Sequence, residues 1–166
     1  MVLEMSAFHL AILFGAGLLL VMAAISDAQS YRIPNKICGA LLLLFPFFVF
    51  TAPGAIEWEQ HLMVFGLMLV SGFIMFMGNI AGAGDIKLLA ATGLWAGPHL
   101  VAVFLVTTAI AGGLLALLMA FLTHIRNRAG RQAVPLARVP IPYGVAISTG
   151  GLCVLCMLSQ PLLFPS

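Results

Sequence analysis

The chain has 166 residues, 63% of them hydrophobic and 7% charged, whereas roughly a quarter of an ordinary globular domain is charged. Seven Lys and Arg with five Asp and Glu cannot cover a 17.6 kDa particle in water, and the mean hydropathy of +1.17 excludes a soluble fold. The net charge of +2 is too small to point to a nucleic-acid partner, and Cys38, Cys153 and Cys156, all within or beside apolar runs, form no readable disulfide framework.

The apolar runs are rich in Leu, Ala and Met and do not alternate with polar residues, so lipid-embedded helices are expected rather than a transmembrane barrel. In chain order the expected spans are Phe8 to Ser26, Ile37 to Thr51, Leu62 to Asn79, Ile86 to Ala96, Leu100 to Thr123 and Ile141 to Ser159. The fourth is short and is expected to borrow Gly84 and Asp85 or to thin the bilayer locally. Its crossing follows from charge. The basic residues fall in three places: Arg32 with Lys36, Lys87, and Arg126, Arg128, Arg131 with Arg138. The positive-inside rule gathers all seven on one face only if the short segment crosses. Six transmembrane helices with both termini non-cytoplasmic are therefore expected, in a single membrane-embedded domain over residues 1–166 with no soluble domain. Met1 to Ala7 carries Glu4 and no basic residue, so the first run reads as a retained helix rather than a secretory signal. The stretch His124 to Arg138, with Gly130 and Pro135, reads as a cytoplasmic loop.

Two of the five acidic residues, Asp27 and Asp85, stand where an apolar run meets the basic face. Ionisable groups at the membrane boundary usually turn toward a protein interior or an aqueous cavity; the plainer alternative is a cap, Asp85 accepting N–H bonds at the start of the fourth helix. Asp85 lies in Gly82-Ala83-Gly84-Asp85-Ile86-Lys87, whose glycines allow a tight turn and close helix approach. Asp27 is followed by Arg32-Ile33-Pro34-Asn35, where Pro34 interrupts helix and Asn35 is suited to cap the next one. Two carboxylates sharing one water do not easily both ionise, so one keeps a proton while the other takes one from the water. That is the chemistry of an aspartic hydrolase, with no metal and no cofactor.

The segment from Gly82 to Trp95 resembles the GxGD motif of bacterial type IV prepilin peptidases, and Ser26-Asp27 with Arg32-Ile33-Pro34-Asn35 resembles their first aspartate motif. Pro142-Tyr143-Gly144 is similar to the segment that opens the last helix of that family. The resemblance implies a membrane aspartic endopeptidase of the bacterial inner membrane, catalytic through Asp27 and Asp85. Gly82, Gly84, Lys87, Arg32, Pro34 and Asn35 support the motifs. The implied partners are the lipid bilayer and a prepilin or pseudopilin, cut after a glycine at the cytoplasmic face. The chain begins directly at its first helix, without the CxxC-bearing region of the long family members. This short form is similar to the peptidases of tight-adherence (Flp) pili, and methyltransferase activity is not expected.

The other polar residues have plainer expected roles. Cys153 and Cys156 have metal-ligand spacing but no neighbouring His or Asp in sequence and are assigned to packing. His9, His61, His99 and His124 lie near span ends as solvated or snorkelling side chains. Lys87 is expected to snorkel to headgroups, the Gly78/Gly82 and Gly93/Gly97 pairs to allow close helix packing, and the arginines before the last helix to meet anionic lipid. Two alternatives carry different functions: a presenilin-like GxGD intramembrane protease, which the IPN signature disfavours, and an ion-transport subunit using both aspartates, whose site would lie nearer the midplane.

Overall fold

The computed structural model describes residues 2–52, 54–128 and 141–163. The described residues form five helices: α1 (Val2–Ser30), α2 (Asn35–Thr51), α3 (Trp58–Met77), α4 (Ala83–Arg128) and α5 (Tyr143–Leu163). Four of them, over Ala7–Ser30, Trp58–Met77, Ala83–Arg128 and Tyr143–Gln160, are long and apolar enough to cross a membrane, while α2 has 17 residues. The chain is an all-α, multi-pass membrane protein.

The expected count of six helices is corrected to five. The expectation required a loop between residues 96 and 100, and there is none: the fourth and fifth expected spans form one element, α4, in which only Gly97 leaves helical geometry (φ 58°, ψ −172°). That single residue turns the chain back. In the first arm, residues 83–96, Ile86 packs at Gly72 and Leu94 reaches His61 of α3, while Thr92 packs at Gly151 of α5. In the second arm, residues 98–128, Phe104 and Thr108 lie at Gly150 and Gly112 lies at Ala146. Residue numbers rise together along the first arm and α5 and in opposition along the second, so the two arms run in opposite directions. The backbone of Gly97 is open essentially to glycine alone, and a Cβ there would also strike the ring of His61.

The short fourth span does take in Gly84 and Asp85, and α1 runs four residues past its expected end, so that Asp27 lies within its last turn. Residues 124–128, expected to open a polar loop, are instead the end of α4; Arg131 and Arg138 lie outside the described residues.

The core is the seam where α1, α2, the first arm of α4 and α5 meet, around Leu20, Leu41, Leu88, Trp95 and Val154. Trp95 cannot leave its N–H bare in lipid, and Nε1 donates to the Leu41 carbonyl at 3.2 Å, tying α4 to α2. Phe45 and Phe48 pack on its ring. Two histidines expected at solvated ends belong to this packing instead. His9 is buried, with Nδ1 3.1 Å from Thr51 Oγ1, and half-buried His61 places Nδ1 2.7 Å from the Leu94 carbonyl. His99 and His124 are exposed, as expected.

Gly93 and Gly97 pack closely against Met68 and His61 of α3. Gly78 and Gly82 do not serve helix packing as expected: Gly78 ends α3 through its N–H to the Ile74 carbonyl, and Gly82 faces Asp85. Cys38 is buried, Cys153 half-buried and Cys156 exposed in the shallow cleft between α1 and α5.

Candidate active site

The three contacts that define the site come from chain segments far apart in sequence. Asp27 ends α1, Asp85 begins α4 and Gly144 begins α5, all at one end of the bundle. Helix ends suit polar chemistry in a lipid-embedded protein because their unpaired N–H groups can point at an acceptor.

Asp27 is 4% exposed. Its Oδ2 accepts a 2.6 Å hydrogen bond from the Gly144 amide, and the Val145 amide faces the same carboxylate. The start of α5 thus directs the Gly144 N–H at Asp27, while the Val145 N–H also closes the turn on the Pro142 carbonyl at 3.2 Å. The fit leaves no room for a side chain: a Cβ on Gly144 would lie 2.9 Å from both Cβ and Oδ2 of Asp27 and 2.9 Å from Ile33 Cδ1.

The segment after Asp27 is built to reverse the chain. Tyr31 takes a left-handed conformation (φ 52°) and its N–H returns to the Asp27 carbonyl at 2.8 Å, which ends α1. Ser26 Oγ donates to the Arg32 carbonyl at 2.8 Å; Arg32 is exposed and enters the motif through its main chain. Pro34, extended at φ −63° and ψ 130°, is the N-cap of α2. Asn35 was expected to cap that helix and does not. It is the first helical residue, and its Oδ1 accepts from Lys87 Nζ at 3.0 Å. Lys87, expected to reach headgroups, is exposed but bonds back across the site, joining the two aspartate motifs.

Asp85 is half-buried in the first turn of α4. Its carboxylate accepts from the Gly82 amide, with Oδ2 3.0 Å from where a Gly82 Cβ would stand. An acidic side chain at the third helical position reaching back to the residue before the helix is half of a capping box, so the expected cap contact is present. Beyond the cap, Asp85 stands at the same end of the bundle as Asp27, since Gly84 next to it packs on the segment that follows Asp27. Ile33 holds the two halves together. It packs at Gly84, 3.5 Å from the position of a Cβ there, and at Gly144.

The structure thus gathers Asp27, Asp85, Gly82, Gly84, Lys87, Pro34 and Asn35 at one end. Sequence reasoning missed two participants. Ile33 looked like an ordinary apolar residue of the IPN segment, and Gly144 was noticed only as part of a resembling motif; its role is carried by a main-chain N–H, which no residue type reveals.

No group of three or more His, Cys, Asp or Glu suited to a metal occurs among the described residues.

A small bundle of apolar helices with two carboxylates at one end defines a polytopic membrane protein with a polar site at one boundary. The family model described as the type IV leader peptidase family matches residues 12–117, and the chain belongs to that family. It is accordingly a protease, a hydrolase of peptide bonds. No curated protein and no solved structure matches the chain.

Proposed function

We propose that the protein is an aspartic endopeptidase that removes the leader of type IV prepilins or pseudopilins, of the Flp kind, by activating one water between Asp27 and Asp85. The observation that supports this reading is convergence: residues 58 positions apart in sequence stand at the same end of the bundle, Asp27 buried against the start of α5 and Asp85 half-buried at the start of α4, with Ile33 packed at both Gly84 and Gly144. Like charges so placed favour sharing a single proton. The ionised carboxylate takes a proton from the water as its oxygen attacks the scissile carbonyl, and the protonated partner donates to the carbonyl oxygen. Collapse of the tetrahedral adduct then expels the amine, which takes the proton held by the first carboxyl, while a hydroxyl of the adduct returns its proton to the second carboxylate and restores the starting state. The Gly144 and Val145 amides keep Asp27 in place throughout.

Orientation supports a cytoplasmic cut. Arg32, Lys36 and Lys87 lie at the end that carries the aspartates, as do Arg126 and Arg128 in the last turn of α4, while Glu57 and Glu59 border α3 at the other end. By the positive-inside rule the aspartate end faces the cytoplasm of the bacterial inner membrane, with the start of α1 and the end of α5 on the far side. Membership of a leader peptidase family favours this reading over an ion-transport subunit or a presenilin-like protease.

The test is leader removal by purified protein. Asp27→Asn and Asp85→Asn preserve volume but remove a required protonation state, so each should abolish cleavage of a co-reconstituted prepilin while membrane insertion stays normal. The double variant should be no worse than either single one. Substantial cleavage by either single variant refutes the two-aspartate mechanism.

A further inference from the structure

The hydrocarbon core of a bilayer is about 30 Å thick, and the bundle is shallower than that where the aspartates stand. On the first arm of α4, Asp85 is twelve residues from the turn at Gly97, a rise of about 18 Å. On α3, Gly72 packs at Ile86, next to Asp85, and the exposed Glu59 lies thirteen residues earlier, about 20 Å away. On the second arm of α4, a Cβ on Gly112 would stand 3.6 Å from Ala146 Cβ and 3.9 Å from Tyr143 Cε1, which places Gly112 level with the start of α5 and so with Asp27. The exposed His99 lies thirteen residues before Gly112, again about 20 Å. Three helices agree that the aspartates stand about 20 Å from the far end of the bundle, roughly 10 Å less than a hydrocarbon core.

Two elements continue past that level. From Gly112, α4 runs on for sixteen residues to Arg128, a further rise of about 24 Å. Leu114, Leu117, Leu118, Phe121, Leu122 and Ile125 are all exposed on this part, at helical spacing. At 100° per residue they form one stripe opposite Gly112, so it faces away from α5. The stripe continues toward the far end as exposed Val106 and Ile110, which lie within the 20 Å span and face lipid, and it ends at Arg126 and Arg128. On the other flank, Ile74 and Met77 of α3 and Ile80 after it are exposed and likewise lie beyond Gly72. A stripe of large apolar side chains is disfavoured in water, and a basic helix end is favoured at anionic headgroups.

We propose that the stripe from Leu114 to Ile125 is immersed in the lipid of the cytoplasmic leaflet, with Arg126 and Arg128 at its headgroups, so that the aspartate pair lies about 10 Å below the hydrocarbon surface on the floor of a recess in the bilayer. Exposed Arg32, Lys36 and Lys87 stand at the level of the aspartates. They line the recess and keep it wet, as long cationic side chains do by reaching out of lipid. The water consumed in hydrolysis then enters from the cytoplasm through this basic lining. The role given to the recess rests on the two-aspartate reading above, and the labelling arm of its test does not.

The experiment uses full-length protein in liposomes of phosphatidylcholine and phosphatidylglycerol. Leu118→Cys and Lys36→Cys, each in protein whose native cysteines are replaced by Ala, carry a nitroxide whose collisions with oxygen, which partitions into lipid, and with a water-soluble nickel chelate are measured. The label at position 118 should meet oxygen and exclude the chelate at least about ten-fold better than the label at position 36, although position 118 lies farther along the bundle from the outer end. Chelate access at position 118 overturns the immersed stripe, and exclusion of the chelate at position 36 overturns the wet recess. Spin–spin broadening at position 118 that disappears on dilution with unlabelled protein would show a second copy on the stripe and overturns the lipid contact. In the unaltered protein, kcat for prepilin cleavage should fall several-fold from medium- to long-chain lipids, because a thicker core deepens the recess; a rate independent of chain length overturns the recess. Failure of the protease reading would appear as no cleavage in any lipid, and would leave the labels to decide the depth alone.

Discussion

Gly144→Ala is the sharpest single perturbation of the site, because it adds one methyl group at a position where three atoms stand 2.9 Å away. Real Cβ contacts do not approach so closely, and the three neighbours differ in how far they can yield. Ile33 Cδ1 is the end of a side chain and can rotate. Asp27 Cβ is rigidly attached to α1 and cannot, so the helices must part or the carboxylate must turn. Either movement breaks the 2.6 Å bond from the Gly144 N–H to Oδ2. A hydrogen bond to a charged group is worth about 1.5–3 kcal/mol, and overpacking costs a further 1–3 kcal/mol or so. If the first of these appears in the transition state, kcat for leader removal falls roughly 10- to 100-fold. The assay is time-resolved conversion of a prepilin to its mature form by purified protein, with Tm followed in parallel. Combining Gly144→Ala with Ile33→Val removes the one yielding atom and should recover part of the stability but little of the activity, since the Asp27 contacts remain. Retention of more than half the parental rate by Gly144→Ala would show that the amide–carboxylate contact does not matter to the chemistry.

Three further outcomes follow from other contacts. Lys87→Met removes the donor to Asn35 and should slow cleavage several-fold while the protein inserts normally; equal activity of parent and variant in the prepilin assay would dismiss the strap between the two motifs. Gly97→Ala forces a side chain into a conformation costing about 1–3 kcal/mol and displaces His61 from the Leu94 carbonyl, so thermal unfolding in detergent should shift downward by roughly 5–10 °C. Replacing Cys38, Cys153 and Cys156 together by Ala should leave cleavage within a few-fold, with some loss of stability from the buried Cys38, and chelators should have little effect; inhibition by a chelator that zinc reverses would overturn the water-based mechanism.

Much of this protein was legible without coordinates because lipid imposes a severe rule: a backbone in hydrocarbon must satisfy its own hydrogen bonds. Long apolar runs therefore declare themselves as helices, and a carboxylate beside such a run stands out against a nearly uncharged background. Asp27 and Asp85 could be singled out on that ground, and the glycines around Asp85 on the ground of backbone freedom.

What the sequence by itself determined, then, was the membrane-embedded helical class, the helix-forming stretches to within a few residues, and the two acidic residues most in need of explanation. The tertiary structure decided everything that depends on one segment meeting another. Gly97 makes a loop unnecessary between two apolar stretches, which is why the expected fourth and fifth helices are one element; local sequence shows a glycine before a proline but not the His61 ring that packs there. Asn35 carries the composition of a cap, yet a lysine 52 residues away takes its side chain. His9 and His61 lie near span ends in sequence and are drawn into the packing by partners on other helices. Gly144 and Ile33 act through a main-chain N–H and through shape, properties that residue type does not advertise. Periodicity and hydropathy report how each segment meets its solvent, while pairwise distances, and with them the chemistry, exist only once the helices are packed.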